Sequence, residues 1–494
     1  MPRHTRNKIR IDGKPAWRNS SKTLTVEPKK YFEPKNLKDI EEIVQRAITE
    51  GVSVRAVGSG HSFSKAPVAE GFLIDMDRVT SLEPYAYRLK ERHYEVGAGI
   101  KIHDLNEELD KLGLAISTMG GIDHQSISGA ISTGTHGSSL DFGAISKMVK
   151  SMVLVTQDLT DPTKAETIRI EPKDGITNKA LYKDTEPRLI QDDDLFNAAL
   201  VCFGTMGIIS SLVVEVEPLY YLKEEKKLID WPVLQSKLKS REVFEDAKAV
   251  FTLTNPYYFD KKRQAMVVYH RIRPKPSNSG SLADRINKRR RSLAFSLASL
   301  FPLAMWYVVA KVNFKPESVP KLLSNALKSQ KDDKYFNKGY KVMYQGLDYI
   351  KERGLDCEMA IEMDAEGNYL ETVDALMDYL EELRKEDLVI TSPIGLRFVK
   401  VSDSFMTPES GRDTVYIDVP ILIHTRNREA TVRHVQEFLL GRGARPHWGK
   451  LNDPLQVEQV KTLYPNYDRF MAIMKRYNPR QLFSNGFTKR VLGW

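Results

Sequence analysis

The chain has 494 residues, of which 41% are hydrophobic and 28% charged, a globular composition with more than one domain's worth of length. Its 74 basic residues stand among 65 acidic ones, so the net charge of +9 is diluted along the chain. With no zinc-finger spacing, basic zipper or aromatic RNP-like segment, that argues against nucleic acid as a partner. Two cysteines far apart, Cys202 and Cys357, indicate neither a disulfide framework nor a CxxC redox site and suit a reducing compartment. The basic start, Met1 to Arg10, lacks the apolar run of a secretory signal, so a cytoplasmic location is expected.

In chain order, Ile40, Ile43, Val44, Ala47 and Ile48 fall at the spacing of an amphipathic helix over Asp39 to Glu50, ended by Gly51. A strand follows at Val52 to Val57, with further strand-like runs at Gly71 to Met76 and Tyr94 to Val96. Leu105, Leu109 and Leu112 predict one face of a second helix closed by Gly113. The stretch Gly120 to Ser139 interleaves five glycines with Ser, Thr and His and is not expected to form one regular element. Strands return at Met152 to Val155 and Ile208 to Val216, with a short helix at Leu195 to Val201 between them, and Pro218 marks a domain boundary. Beyond it, Arg271 to Ser281 and the basic cluster Lys288 to Arg291 read as a loop or partly disordered insertion. The apolar run Leu293 to Ala310, broken by Pro302, is barely long enough to span a bilayer. It admits a buried core helix or an interfacial segment giving peripheral membrane contact.

Two segments carry chemistry. In Val54 to Ser64, VRAVGSGHSFS, an apolar strand runs into Gly58, Ser59 and Gly60 before His61 and Ser62. Small residues there let backbone N–H groups approach an anion such as a diphosphate. The third glycine of the dinucleotide fingerprint is missing and no ribose-binding acid is clearly placed, which speaks against a nicotinamide Rossmann site. The second segment, GGIDHQSISGAISTGTHGSS, offers amides and small hydroxyls over a long surface. By spacing alone, the pair either serves tight turns or wraps the pyrophosphate and ring of FAD. No GxSxG elbow, P-loop or HExxH occurs, and His103, His124 and His136 lack a convincing ligand set, so no metal is expected.

VGSGHSFS, SISGAISTGTHGSS and LFNAALVCFGTMGIISSLVVEVEP resemble the FAD domain of the vanillyl-alcohol-oxidase superfamily, most of all its sugar-lactone and alditol oxidase group. RPHWGK at Arg445 to Lys450 and NPRQLFSN at Asn478 to Asn485 are similar to that group's closing signature. The resemblance implies an α+β fold: a two-lobed, PCMH-type FAD-binding domain over 1–218, a substrate domain with an antiparallel sheet flanked by helices over 219–440, and a segment 441–494 returning to the FAD domain. It implies FAD bonded covalently to His61, which must be neutral to act as nucleophile; a turn histidine beside noncovalent FAD is the alternative. Cofactor contacts are expected from Gly58, Ser59, Gly60, Ser62, Gly120, Gly121, Ser126, Gly129, Ser132, Thr133, Thr135, His136, Gly137, Gly207, Ile208 and Asn485.

The implied reaction is oxidation of a hydroxyl on a sugar lactone or related alcohol by hydride transfer to flavin N5, with O2 or another acceptor reoxidising the flavin. Lys450 and Arg397 match positions at the flavin's reactive face, with His447 a weaker catalytic candidate. Lys450 suits a hydroxyl partner or base if burial and a neighbouring arginine lower its pKa. Two positions depart from the pattern: Gly395 stands where relatives carry a glutamate, and Gly121 where alditol oxidases place a serine. Both remove hydroxyl-gripping groups and favour a larger or less polar alcohol; Glu358 and Glu362 are candidates for the missing carboxylate, or ordinary surface residues. A small residue at Gly120 implies an oxygen path to the flavin. The alternatives are a dehydrogenase acting on a lipid-linked sugar or sterol, and a flavin carrier without turnover.

Overall fold

The computed structural model describes residues 7–275, 310–345 and 354–494. The basic cluster 288–291 and all of 293–310 except Ala310 lie outside the described residues. Among the described residues no helix is long and apolar enough to cross a membrane.

The five apolar residues spaced along 40–48 are the buried residues of the helix Leu37–Glu50. Asn36 caps it by accepting from the Asp39 N–H at 3.0 Å, and Gly51 ends it with φ 62°, a left-handed conformation that glycine adopts at no steric cost. Each large aliphatic side chain so buried contributes roughly 2 kcal/mol relative to exposure. The face docks on Val149–Gln157 and Ala165–Glu171 of a six-stranded sheet. In that sheet the order is Arg188–Gln191, Ala165–Glu171, Val149–Gln157, Ile208–Glu215, His93–Gly97 and Leu82–Pro84. The second helix is Ile102–Lys111, and Leu112 is not on its buried face: it lies at the C-cap, 55% exposed, and Ile102 takes the expected core position.

A smaller parallel sheet pairs Val54–Val57 and Lys30–Phe32 with Phe72–Asp75 between them. Strand Val54–Val57 delivers the first glycine-rich segment, and the second, as its composition demands, is turns around one short helix, Ile127–Ser132. Sheet membership changes between Pro218 and Tyr221, where an eight-stranded antiparallel sheet begins. Its order is Lys334–Lys338, Tyr221–Asp230, Gln264–Arg273, Ala249–Thr254, Ile394–Val399, Thr414–Leu422, Gly354–Glu362 and Arg445–Pro446. Arg271 to Arg273, expected in a loop, extend its third strand, because Tyr221, Leu222 and Lys223 pair with them.

Alternation along these strands sorts the two faces. Cys357, Met359, Ile361, Ile394, Leu396, Phe398, Ile417 and Val419 point into a core closed by the helices Trp231–Lys239, Tyr369–Lys385 and Arg428–Leu440. The alternate residues Asp356, Glu358, Gly395, Arg397, Tyr416 and Asp418 share the opposite face. The chain then returns to the first core: Trp448, Tyr464, Phe470, Phe483 and Phe487 pack with the helices and strands of the N-terminal half. The backbone also joins there, Val54 N–H donating to the Leu482 carbonyl at 2.8 Å. The architecture is α+β, and it sets the glycine-rich segments beside the polar face of the large sheet.

Candidate active site

The two glycine-rich segments, far apart in sequence, line one solvent-open cleft. Gly58, Ser59, Gly60, His61 and Ser62 form one wall, Gln125, Ser126, Gly129, Ser132 and Thr133 another, and Gly204, Gly207 and Ile208 a third. Contact between the walls is close enough to require glycine: a Cβ on Gly58 would overlap the side chain of Ser126. Gly60 adopts φ 67°, the left-handed region, with Trp17 packed over it.

Arg55 locks these walls. Buried in an otherwise apolar strand, it donates to the carbonyls of Ala66 at 2.6 Å, Phe483 at 2.7 Å, Gly204 at 3.1 Å and also Phe203. Burial pulls its pKa down to about 10, so it stays charged at neutral pH. Sequence reasoning passed over Arg55, although a lone arginine among Val54, Ala56 and Val57 was the available signal. Asn485 does not line the cleft. Its amide donates to Ala66 and Val68 carbonyls at 3.0 and 2.9 Å while its oxygen caps Gly486–Leu492, so it supports the loop that does.

The polar groups of the cleft fit a flavin dinucleotide. Ser59 Oγ, Gln125 Oε1 and His61 Nδ1 are closed off from solvent with no hydrogen-bond partner among the described residues, a costly arrangement unless a ligand satisfies them. His61 is neutral: burial, reinforced by His124 and Lys101, lowers its pKa to about 4. A neutral imidazole with an unengaged nitrogen has the lone pair that a nucleophile needs.

Thr135, His136 and Gly137 lie beyond the lining of this cleft, under Met119 to Gly121; a Cβ on Gly120 would stand 3.4 Å from both Thr135 Cγ2 and the His136 carbonyl oxygen. His136 is turned toward the large sheet. It stacks on Tyr416 with ring centroids 3.6 Å apart, and its Nε2 lies 3.3 Å from Glu358 Oε1. His447 completes a buried trio whose donor atoms lie within 4.8 Å of one another. His136 therefore has partners that sequence spacing concealed, because Glu358 and His447 come from distant strands. Two of the ring nitrogens are already engaged, His136 Nδ1 with the Gly137 carbonyl at 2.9 Å and His447 Nδ1 with the Gly449 N–H at 3.0 Å. As an acceptor at Nδ1, His447 carries its proton on Nε2, and burial lowers its pKa to about 3, so it remains a neutral donor.

Lys450 is ion-paired with Asp356 and lies 3.9 Å from Glu358. This corrects the expectation of a lowered pKa. Burial acts in that direction, but Asp356, Glu358 and Asp418 outweigh it and hold Lys450 above the ordinary lysine range. It is a permanent ammonium at neutral pH and a donor, not a base. Glu358, too, is no surface residue: although burial favours its neutral form, His136 and Lys450 hold it well below the usual carboxylate range. Glu362 stands exposed at the end of the same strand. Arg397 lies over the ring of Phe251 at 5.3 Å and has no carboxylate partner among the described residues. A Cβ added to Gly121 would stand 3.5 Å from its Nη2 and 2.9 Å from Gln345. The catalytic candidates thus share one wall, facing the loop that carries Gly120 and Gly121.

A family model described as an FAD binding domain matches residues 28–159, and one described as D-arabinono-1,4-lactone oxidase matches residues 221–491, more than half of the chain. The chain belongs to the D-arabinono-1,4-lactone oxidase family. It is 26% identical to an L-gulono-1,4-lactone dehydrogenase of Mycobacterium tuberculosis, over 97% of this chain and 99% of that one. To an L-gulonolactone oxidase of Bos taurus it is 24% identical, over 96% and 98%. Among solved structures, a solvent-stable cholesterol oxidase superposes with a TM-score of 0.74 at 14% identity, over 96% of each chain. The cholesterol oxidase of B. sterolicum gives 0.68 at 15%, over 97% of this chain and 96% of its own. These last two likenesses establish the shared PCMH-type fold. With its FAD domain and family membership, this chain is an FAD-linked oxidoreductase.

Proposed function

We propose that this enzyme oxidises a hydroxyl group of a sugar lactone or closely related sugar alcohol, with FAD attached covalently through His61 and O2 as final acceptor. The observation that carries the reading is the convergence of both glycine-rich segments on one cleft, with His61 Nδ1 buried there and without a hydrogen-bond partner among the described residues. FAD, when bound, supplies the two-electron acceptor. Ser59, Gln125 and Ser126 are suited to its polar groups. Lys450, kept as an ammonium, donates a hydrogen bond to the substrate oxygen. Arg397, with no carboxylate partner among the described residues, holds a second oxygen. His447 holds its Nε2–H as a fixed donor beside them. The relatives' activities toward gulono- and arabinono-lactones support this substrate class.

A second reading is favoured by one feature of the same sheet face. Beyond Arg397 it turns apolar at Phe251 and Leu253, which pack with the buried Met266, Val268 and Leu327. An apolar edge there suits a larger, less polar alcohol such as a lipid-linked sugar or sterol, with a membrane or protein acceptor. Two experiments decide. Acid-precipitated, washed protein is expected to stay yellow and yield a flavinylated peptide containing His61; a colourless pellet refutes covalent attachment. Anaerobic mixing with lactones, alditols and sterols is expected to bleach the flavin with lactones first. Bleaching by sterols alone favours the second reading, and no bleaching at all favours a carrier without turnover.

A further inference from the structure

The strand register leaves an empty position in the middle of the polar face. Asp418 pairs on one side with Glu358 and on the other with Gly395, so its side chain stands between a carboxylate and a gap. A Cβ on Gly395 would sit 3.3 Å from Asp418 Cβ and 3.6 Å from Asp418 Oδ2, which places the carboxyl directly along the gap. Arg397 follows two residues later on the same strand face, diagonal to Asp418, and Leu253 pairs with Gly395 from the far side. The gap is therefore bounded by a carboxyl, a guanidinium without an anionic partner among the described residues, and an apolar side chain. Asp418 Oδ1 is closed to solvent and has no hydrogen-bond partner among the described residues, and the same holds for Asp356 Oδ1. These are groups arranged for a guest bearing neighbouring oxygens and a less polar edge.

We propose that Asp418 is a specificity-determining residue that grips a ring hydroxyl of the lactone substrate in the space left by Gly395, opposite the oxygen held by Arg397. The inference rests on the functional reading above and deepens it: the carboxyl absent from position 395 is supplied across the sheet by the facing strand. The surroundings permit such a grip. Burial, then the neighbouring Asp356 and Glu358, raise the Asp418 pKa well above the ordinary carboxyl range, and its side chain shares a hydrogen bond with Asp356, so it is a neutral acid whose Oδ1, without a partner among the described residues, is left to accept from a hydroxyl. Lys450 compensates the charge of Asp356 beside it. No proton need leave the site for the grip to form.

The test is anaerobic bleaching of the purified holoenzyme, titrated with L-gulono-1,4-lactone and D-arabinono-1,4-lactone and with analogues each lacking one ring hydroxyl. Asp418→Ala is expected to raise the half-saturating concentration of the parent lactone about 10- to 100-fold, as for a hydrogen bond in a desolvated site. One deoxy analogue should lose almost nothing by the same change, and that analogue identifies the gripped hydroxyl. Asp418→Asn, which keeps shape and hydrogen-bonding capacity, should fall between. FAD content and spectrum should be unchanged in both variants. Gly395→Glu combined with Asp418→Gly hands the carboxyl back across the strand pair and should recover part of the loss. Unaltered saturation in Asp418→Ala, or an equal loss for every analogue, overturns the inference. So does loss of FAD from both single variants, which would assign Asp418 a structural role. Wild-type protein bleached by no lactone would instead overturn the functional reading itself, a result visible before any variant is made.

Discussion

Replacing Lys450 with methionine tests the electrostatic design of the site. The ammonium is the cation that Asp356, Glu358 and Asp418 hold in common. Removing one partner of a fully buried pair costs about 3–5 kcal/mol; the Lys450 side chain retains 25% exposure, so roughly 2 kcal/mol is expected, with the remainder screened. The pH dependence separates this cause from a simple loss of packing. In the wild type a lysine with a raised folded pKa contributes stability that is fully present below its unfolded value of about 10.4 and is lost only as pH rises beyond it. That contribution is level between about pH 5 and pH 8. In the variant the uncompensated carboxylates bind protons more tightly folded than unfolded, so its stability must rise as the pH falls from about 7.5 to about 5. The assay is the melting temperature of both proteins across that range at matched FAD content. The variant should melt a few degrees lower at the upper end, and the gap should narrow as acid is added. A gap constant with pH would refute the reasoning, since a packing defect has no proton to take up. Anaerobic bleaching by lactone should also slow about 10²- to 10³-fold, the usual cost of removing one fixed donor to a developing oxygen charge.

Three further outcomes follow from the cofactor cleft. Because burial lowers the His61 pKa to about 4, covalent incorporation of FAD into riboflavin-starved protein should proceed at a constant rate between about pH 5.5 and pH 8; a rate that falls through the ordinary histidine range near 6.5 would contradict the neutral, buried imidazole. Gly58→Val places bulk on the Ser126 side chain, and the variant should purify with little flavin while its circular dichroism stays native; full yellow occupancy would show that the walls part easily. Gly120→Ala meets Thr135 and the His136 carbonyl at contact distance rather than in overlap, so it should fold and be reduced by lactone normally while reoxidation by O2, followed by stopped flow, slows. Unchanged reoxidation would remove the proposed oxygen path.

Much of the molecule was legible along the chain because local physics governs it. The helix Leu37–Glu50 follows from its apolar spacing and its two caps, and the strands flanking it from short β-branched runs bounded by turns. The same local logic failed at Leu112, since one residue's difference at a helix end moves a side chain from core to solvent. His61 and the small residues around it were readable because a nest needs consecutive residues. Arg55 and Asn485 were not read correctly, since each earns its place through carbonyls of segments remote in sequence.

What the amino-acid order determined by itself was the elements, the α+β class, and the two glycine-rich segments with the imidazole between strand and turn. Only the tertiary structure decided the protonation and partners of the candidate catalytic wall. Lys450 reads alone as a cation whose pKa burial would lower, yet Asp356 and Glu358, with the neighbouring acid Asp418, reverse that. Asp418 carries no motif at all; its meaning comes from standing opposite Gly395 in the sheet. Strand register brings residues together across long sequence separations, and electrostatic energy depends on those distances through space rather than on position in the chain.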